Sequence, residues 1–73
     1  MAANFPKGQQ VSWDLGRGHA IGYVADRFER KVMRRLKDGL VTRYGTSEDP
    51  VYLITQADGT EVLILGSELA NVS

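Results

Sequence analysis

The sequence predicts an all-β domain of five to six short antiparallel strands, and three observations carry that prediction. Apolar and polar residues alternate over short stretches, as they do along a half-buried strand. Clusters of Gly, Asp and Pro break the chain between those stretches at turn-like intervals. The chain has 73 residues and no cysteine, so a single core must be assembled by packing alone, without disulfides.

Phe5 to Gly8 reads as an entry turn behind a flexible lead-in over residues 1–6, so the folded unit is expected over about 7–72. Val11-Ser12-Trp13 alternates as a first strand. Asp14-Leu15-Gly16-Arg17-Gly18-His19 is dense in turn formers, and Ala20 to Ala25 is β-prone, so the chain is expected to double back as a hairpin. Gly22 inside that second strand suggests a bulge or a tight bend.

Asp26 to Gly39 supports two readings. Asp26 with Glu29 fits a helix capping box, and Phe28, Val32, Leu36 and Leu40 recur every four residues ahead of a C-terminal glycine. Lys37-Asp38-Gly39 is also a hairpin-turn signal, and Leu40 to Tyr44 is β-branched and alternating. Beyond it, Gly45-Thr46-Ser47-Glu48-Asp49-Pro50 is a crowded polar corner. Pro50 holds Asp49 extended and delivers Val51 into a strand, while Ser47, Glu48 or Asp49 satisfies backbone N–H groups.

Val51 to Gln56 and Glu61 to Leu65 are the arms of the clearest hairpin, turning through Ala57-Asp58-Gly59-Thr60. Gly66 to Leu69 has the length of one 3₁₀ turn, and Ala70-Asn71-Val72 can add a last short strand. Short strands, tight turns and a late one-turn helix together describe a small SH3-like barrel.

Composition excludes several function classes. No apolar run approaches the roughly 18 residues of a membrane span, and no export or lipidation signal opens the chain, so a cytoplasmic protein with no membrane partner is expected. A single histidine, His19, and no cysteine leave no zinc motif, and Glu48-Asp49 lacks the dispersed ligands of a calcium loop. Ser47 has no base in its own segment, and the Gly16–His19 cluster lacks the spacing of a dinucleotide fingerprint. No enzyme, metal or cofactor is expected. The nine basic and nine acidic residues cancel but are segregated. Arg27, Arg30, Lys31, Arg34, Arg35, Lys37 and Arg43 crowd one segment, whereas Tyr44 to Ser73 carries acids only.

Three groups of residues resemble a known family. They are Lys7-Gly8-Gln9-Gln10-Val11-Ser12-Trp13 with Gly18 and Gly22-Tyr23-Val24; Val41-Thr42-Arg43 with Ser47-Glu48-Asp49-Pro50-Val51-Tyr52-Leu53-Ile54; and Asp58-Gly59 with Val62-Leu63 and Ser67-Glu68-Leu69. From about Lys7 to Leu69 the chain is similar to the hypervirulence-associated protein TUDOR-domain family. The resemblance implies a Tudor-type, SH3-like barrel in which Lys31 to Tyr44 is a projecting β-hairpin rather than a helix. The chain departs from the family pattern at Ile64 and Leu65, where members often carry a polar or basic residue, and at Asp38-Gly39, where the turn glycine is displaced by one position.

Two candidate sites follow. An aromatic groove flanked by Trp13, Tyr23 and Tyr52, with Asp14 or Asp49 as a nearby acid, would take a protein or peptide through cation–π and apolar contact. A cationic ribbon of Arg34, Arg35, Lys37 and Arg43 would instead follow nucleic-acid phosphates. Core packing competes with the first reading and a solvated, aggregation-resistant edge with the second. A monomer or weak dimer acting as a non-enzymatic interaction module is expected.

Overall fold

The computed structural model describes residues 4–37 and 39–72 and consists of seven strands and one 3₁₀ turn. The strands are β1 (Gln10–Asp14), β2 (His19–Phe28), β3 (Lys31–Leu36), β4 (Gly39–Tyr44), β5 (Val51–Thr55), β6 (Glu61–Leu65) and β7 (Leu69–Asn71), with the 3₁₀ turn at Gly66–Glu68. All pairings are antiparallel. Five strands in one sheet and two in a separate hairpin agree with the expected five to six short strands with a projecting hairpin and a short last strand.

β1, β2, β5, β6 and β7 form one sheet in the order β6-β5-β2-β1-β7, and β3 and β4 form a separate hairpin. No ladder joins the outer strands β6 and β7, so the five-stranded sheet is open where a closed barrel was expected. The helical alternative for residues 26–39 is not adopted. Phe28, Val32 and Leu36 are separated by four, a spacing that fits the helix period and the strand period equally well. Val32 and Leu36 lie on the inward row of the hairpin and pack in one cluster with Phe28 from the end of β2, whereas Leu40 faces out. The displaced Asp38-Gly39 turn begins at a residue outside the described ones, but Leu36 pairs with Gly39 directly across it.

β5 is the centre of the fold, with Val51 to Ile54 all buried. Tyr52 and Ile54 face a first cluster with Phe5, Val11, Trp13, Val24 and Leu69. Val51 and Leu53 face a second, with Val32 and Leu63, closed by Phe28, Leu36 and Val41. β2 serves both clusters by means of a bulge. Its register against β5 shifts between Val24 and Asp26, so Val24 lies opposite Ile54 and Phe28 opposite Val51. Gly22 is not the bulge. It pairs regularly with Val11, and an added Cβ would lie 2.4 Å from Ile54 Cγ2, so glycine is required by close packing. Residues 1–3 of the expected flexible lead-in lie outside the described residues, while Phe5 is buried against Tyr52 and extends the packed unit back to residue 5.

The polar corner between β4 and β5 is fastened by hydrogen bonds. Thr46 Oγ1 accepts the Asp49 N–H at 2.9 Å, and the Thr46 N–H donates back to the Asp49 carbonyl at 3.1 Å. The Asp49 carboxylate then reaches the 3₁₀ turn, accepting the Ser67 N–H and the Ser67 hydroxyl, each at 2.8 Å. Ser47 is exposed. Asp49→Ala is expected to cost about 1–2 kcal/mol, because it removes both bonds that tie the corner to the 3₁₀ turn. Asp49→Asn should cost less than half of that, and Ser47→Ala less than about 0.5 kcal/mol. Urea midpoints of the three variants check the order.

Candidate functional site

The pleat decides which aromatic rings can share a surface. β1 alternates inward Val11 and Trp13 with outward neighbours, and Trp13 pairs with the small Ala20, which leaves room for the indole in the first cluster. Tyr52 is completely buried, its ring edge-on to Phe5 at 5.5 Å and its hydroxyl accepting the Phe5 N–H at 3.1 Å. Tyr23 is on the other side of the sheet. It follows inward Gly22 and precedes inward Val24, is 47% exposed, and meets Gln10 Nε2 through its hydroxyl. Trp13, Tyr23 and Tyr52 therefore line no common groove: Tyr52 is core, Tyr23 faces outward, and Trp13 is 7% exposed beside a different cleft.

The four candidate cations are divided in the same way. Arg34 and Arg43 belong to the hairpin's inward row with Val32, Leu36 and Val41. Arg34 lies over the Phe28 ring at 5.9 Å, and Arg43 Nη2 pairs with Glu68 Oε1 at 2.6 Å, joining the hairpin to the 3₁₀ turn. Glu68 Oε1 also accepts the Leu65 N–H at 3.0 Å. Arg35 is on the outward row, and exposed Lys37 is at the hairpin end. Arg34, Arg35, Lys37 and Arg43 thus form no single ribbon.

The outward row joins Lys31 and Arg35, which share one side of β3 as strand alternation requires, to exposed apolar and aromatic neighbours. Register places Lys31 opposite Tyr44, Met33 opposite Thr42 and Arg35 opposite Leu40, and Met33, Leu40 and Tyr44 are all more than half exposed. The Lys31 ammonium lies over the Tyr44 ring at 5.7 Å. Strand register would have revealed this grouping, but it depends on the turn around residue 38.

Between the hairpin and the large sheet runs a cleft of about 410 Å³. One wall is Trp13 and Leu15 at the end of β1, the other is Leu36 and Val41, and consecutive residues of β6 lie along the base. The lining is mainly apolar, with Asp14, Glu61, Glu68 and Lys37 at its margin. That volume is in the lower part of the roughly 300–1,000 Å³ range of ligand pockets. Close to the margin, the backbone N–H and then the side chain of Thr60, with a smaller contribution from Lys37, hold the Asp58 carboxyl below its ordinary value. A lowered carboxylate pKa stabilises the β5–β6 turn above the ordinary value, and the contribution fades as pH falls through the folded one. In the basic segment, Arg27 is engaged by Glu29 and then Tyr52, both of which raise its pKa.

The residues that carry the family resemblance meet in space. Arg43 of the middle group touches Glu68 of the last, and Asp49 touches Ser67. These groups act as fasteners between the corner and the 3₁₀ turn, and the cleft opens beside them. A family model described as the TUDOR domain of hypervirulence associated proteins matches residues 8–69. No curated protein and no solved structure matches the chain.

Proposed function

The chain belongs to the hypervirulence-associated protein TUDOR-domain family, and from that premise we propose that it is a non-enzymatic module binding a protein or peptide segment in the cleft between the β3–β4 hairpin and β6. The strand order, with a 3₁₀ turn ahead of the last strand, supports an SH3-like, Tudor-type barrel left open at this cleft, with the hairpin inserted as a projecting wall. The observation that carries the reading is the cleft itself: apolar walls, the Trp13 indole at its edge, and charged groups confined to the margin. Such a surface fits apolar anchor residues and orients them by polar contacts at the rim.

Trp13 is the chain's one tryptophan, so its emission reports on the cleft. Peptides selected from a random heptapeptide display library are expected to shift that emission in a saturable way. Leu15→Glu, at an exposed cleft residue, is expected to weaken them at least about tenfold, equivalent to about 1.4 kcal/mol. Tyr23→Ala, on the opposite face, should leave binding unchanged. Selected peptides that bind wild type and Leu15→Glu equally, or a selection that yields none, would remove the reading.

One observation favours a second reading, single-stranded nucleic acid on the outward face of the hairpin: Lys31 lies over an exposed Tyr44 there, with Arg35 farther along the same row. Titration with oligothymidylate decides it. Amide shifts at Lys31, Arg35 and Tyr44 that fade as salt rises support it, and silence at low salt ends it.

A further inference from the structure

The base of the cleft is a sheet edge. β6 is the outermost strand of its sheet, and no ladder connects it to the hairpin. Its register against β5 pairs Tyr52 with Ile64 and Ile54 with Val62. The flanking bonds fix which residues face which way: the Gln56 N–H donates to the Thr60 carbonyl at 2.8 Å, and the Gly66 N–H to the Pro50 carbonyl at 2.8 Å. In an antiparallel ladder, hydrogen-bonded and non-bonded pairs alternate. Residues 60, 62, 64 and 66 therefore bond to β5, and Glu61, Leu63 and Leu65 direct their main-chain groups away from it. The Leu65 N–H is taken by Glu68, which closes that end. The N–H and C=O groups of Glu61 and Leu63 face the cleft.

We propose, on the basis of the peptide-binding reading above, that the ligand binds as an added β-strand along β6, pairing with the main-chain groups of Glu61 and Leu63. Strand addition supplies affinity through the main chain and selectivity through alternate side chains. The surroundings specify those side chains. Next to the edge, Trp13, Val62 and Ile64 lie on one face of the sheet, and Leu36 and Val41 over the other. Successive residues of an added strand point to opposite faces, so both kinds of position meet apolar walls. The ligand is accordingly a short extended segment with consecutive aliphatic residues. Asp14 and Glu61 outnumber Lys37 at the margin, Glu68 being paired with Arg43, and complement a lysine or arginine beside that run.

The probe is acetyl-Lys-Val-Ile-Val-Lys-amide, compared with an analogue N-methylated at alternate backbone amides, each titrated into the labelled full chain. The unmodified peptide is expected to slow hydrogen exchange of the Glu61 and Leu63 amides at least about tenfold and to shift the Trp13 indole. The N-methylated analogue is expected to bind at least about tenfold more weakly. Equal binding of the two peptides, with shifts around the cleft but no protection at Glu61 and Leu63, overturns strand addition and leaves the peptide-binding reading standing. Main-chain pairing tolerates sequence, so silence of the edge amides at millimolar peptide also overturns strand addition; the library selection then decides the broader reading separately. Protection of the same amides that grows with protein concentration and without peptide would assign the edge to a second copy of the chain, against the proposed occupant. Glu61→Pro gives an independent check: it deletes an outward N–H, leaves the donors to β5 in place, and should abolish the protection at Leu63.

Discussion

Tyr52→Ala is expected to leave most of the chain unfolded at 25 °C. Removing a buried aromatic side chain costs about 3–5 kcal/mol, and a core of this size rarely supplies more than about 3–5 kcal/mol in total. Tyr52 has no exposed surface, lies in the buried run Val51–Ile54 of β5, and packs edge-on against Phe5. Its ring also supports the 3₁₀ turn, since a Cβ placed on Gly66 would lie 3.1 Å from Tyr52 Cε2. Tyr52→Phe isolates the polar part: it keeps the ring but leaves the Phe5 N–H without its acceptor and removes the hydroxyl's contact with Arg27, a cost of about 1–2 kcal/mol. Urea unfolding followed by circular dichroism separates the two. A loss below about 1 kcal/mol for Tyr52→Ala would contradict its placement in the core.

Gly45→Ala is expected to be the next most damaging single change, at about 3 kcal/mol, the upper end of overpacking costs. The added methyl would lie 2.4 Å from the Phe28 carbonyl oxygen and 2.9 Å from the Val51 nitrogen. Both are backbone atoms, so relief requires two strands to separate. The Gly45 N–H meanwhile donates to the Arg30 carbonyl at 3.1 Å, which ties the end of β4 to the bend between β2 and β3. Gly59→Ala provides the contrast. A methyl there meets open space, and only the positive φ of 89° is strained, so about 1 kcal/mol is expected. Thermal unfolding of the pair should place Gly45→Ala well below Gly59→Ala.

Both positions act through the frame, and neither lines the cleft. The cleft depends on the frame nonetheless, because the hairpin that walls it is held by few links. Arg43 to Glu68 is one, and a partly exposed ion pair contributes only about 0–1 kcal/mol. The apolar row of Val32, Leu36 and Val41 against Leu63 and Leu53 supplies the main attachment.

What the sequence determined by itself is local. Alternation marked the strands, Asp58-Gly59 marked the β5–β6 turn and Pro50 marked the start of β5; the all-β class followed once the family resemblance favoured a hairpin over a helix in the basic segment. Each signal resides in a few neighbouring residues and reflects backbone sterics and side-chain period. The spacing of Phe28, Val32 and Leu36 marks the limit of such signals, since a step of four satisfies both periods and only packing against Val51 and Leu53 selects the strand. The tertiary structure alone decided that Tyr23 faces away from Trp13, that Arg43 and Asp49 are occupied by Glu68 and Ser67, and that the large sheet stays open. It also formed the cleft from Trp13 to Leu15, from Leu36, Lys37 and Val41, and from Thr60 to Ile64 with Glu68, segments far apart in the chain. Their meeting depends on the bulge in β2 and on how the hairpin packs over β6, long-range outcomes of packing that no local pattern encodes.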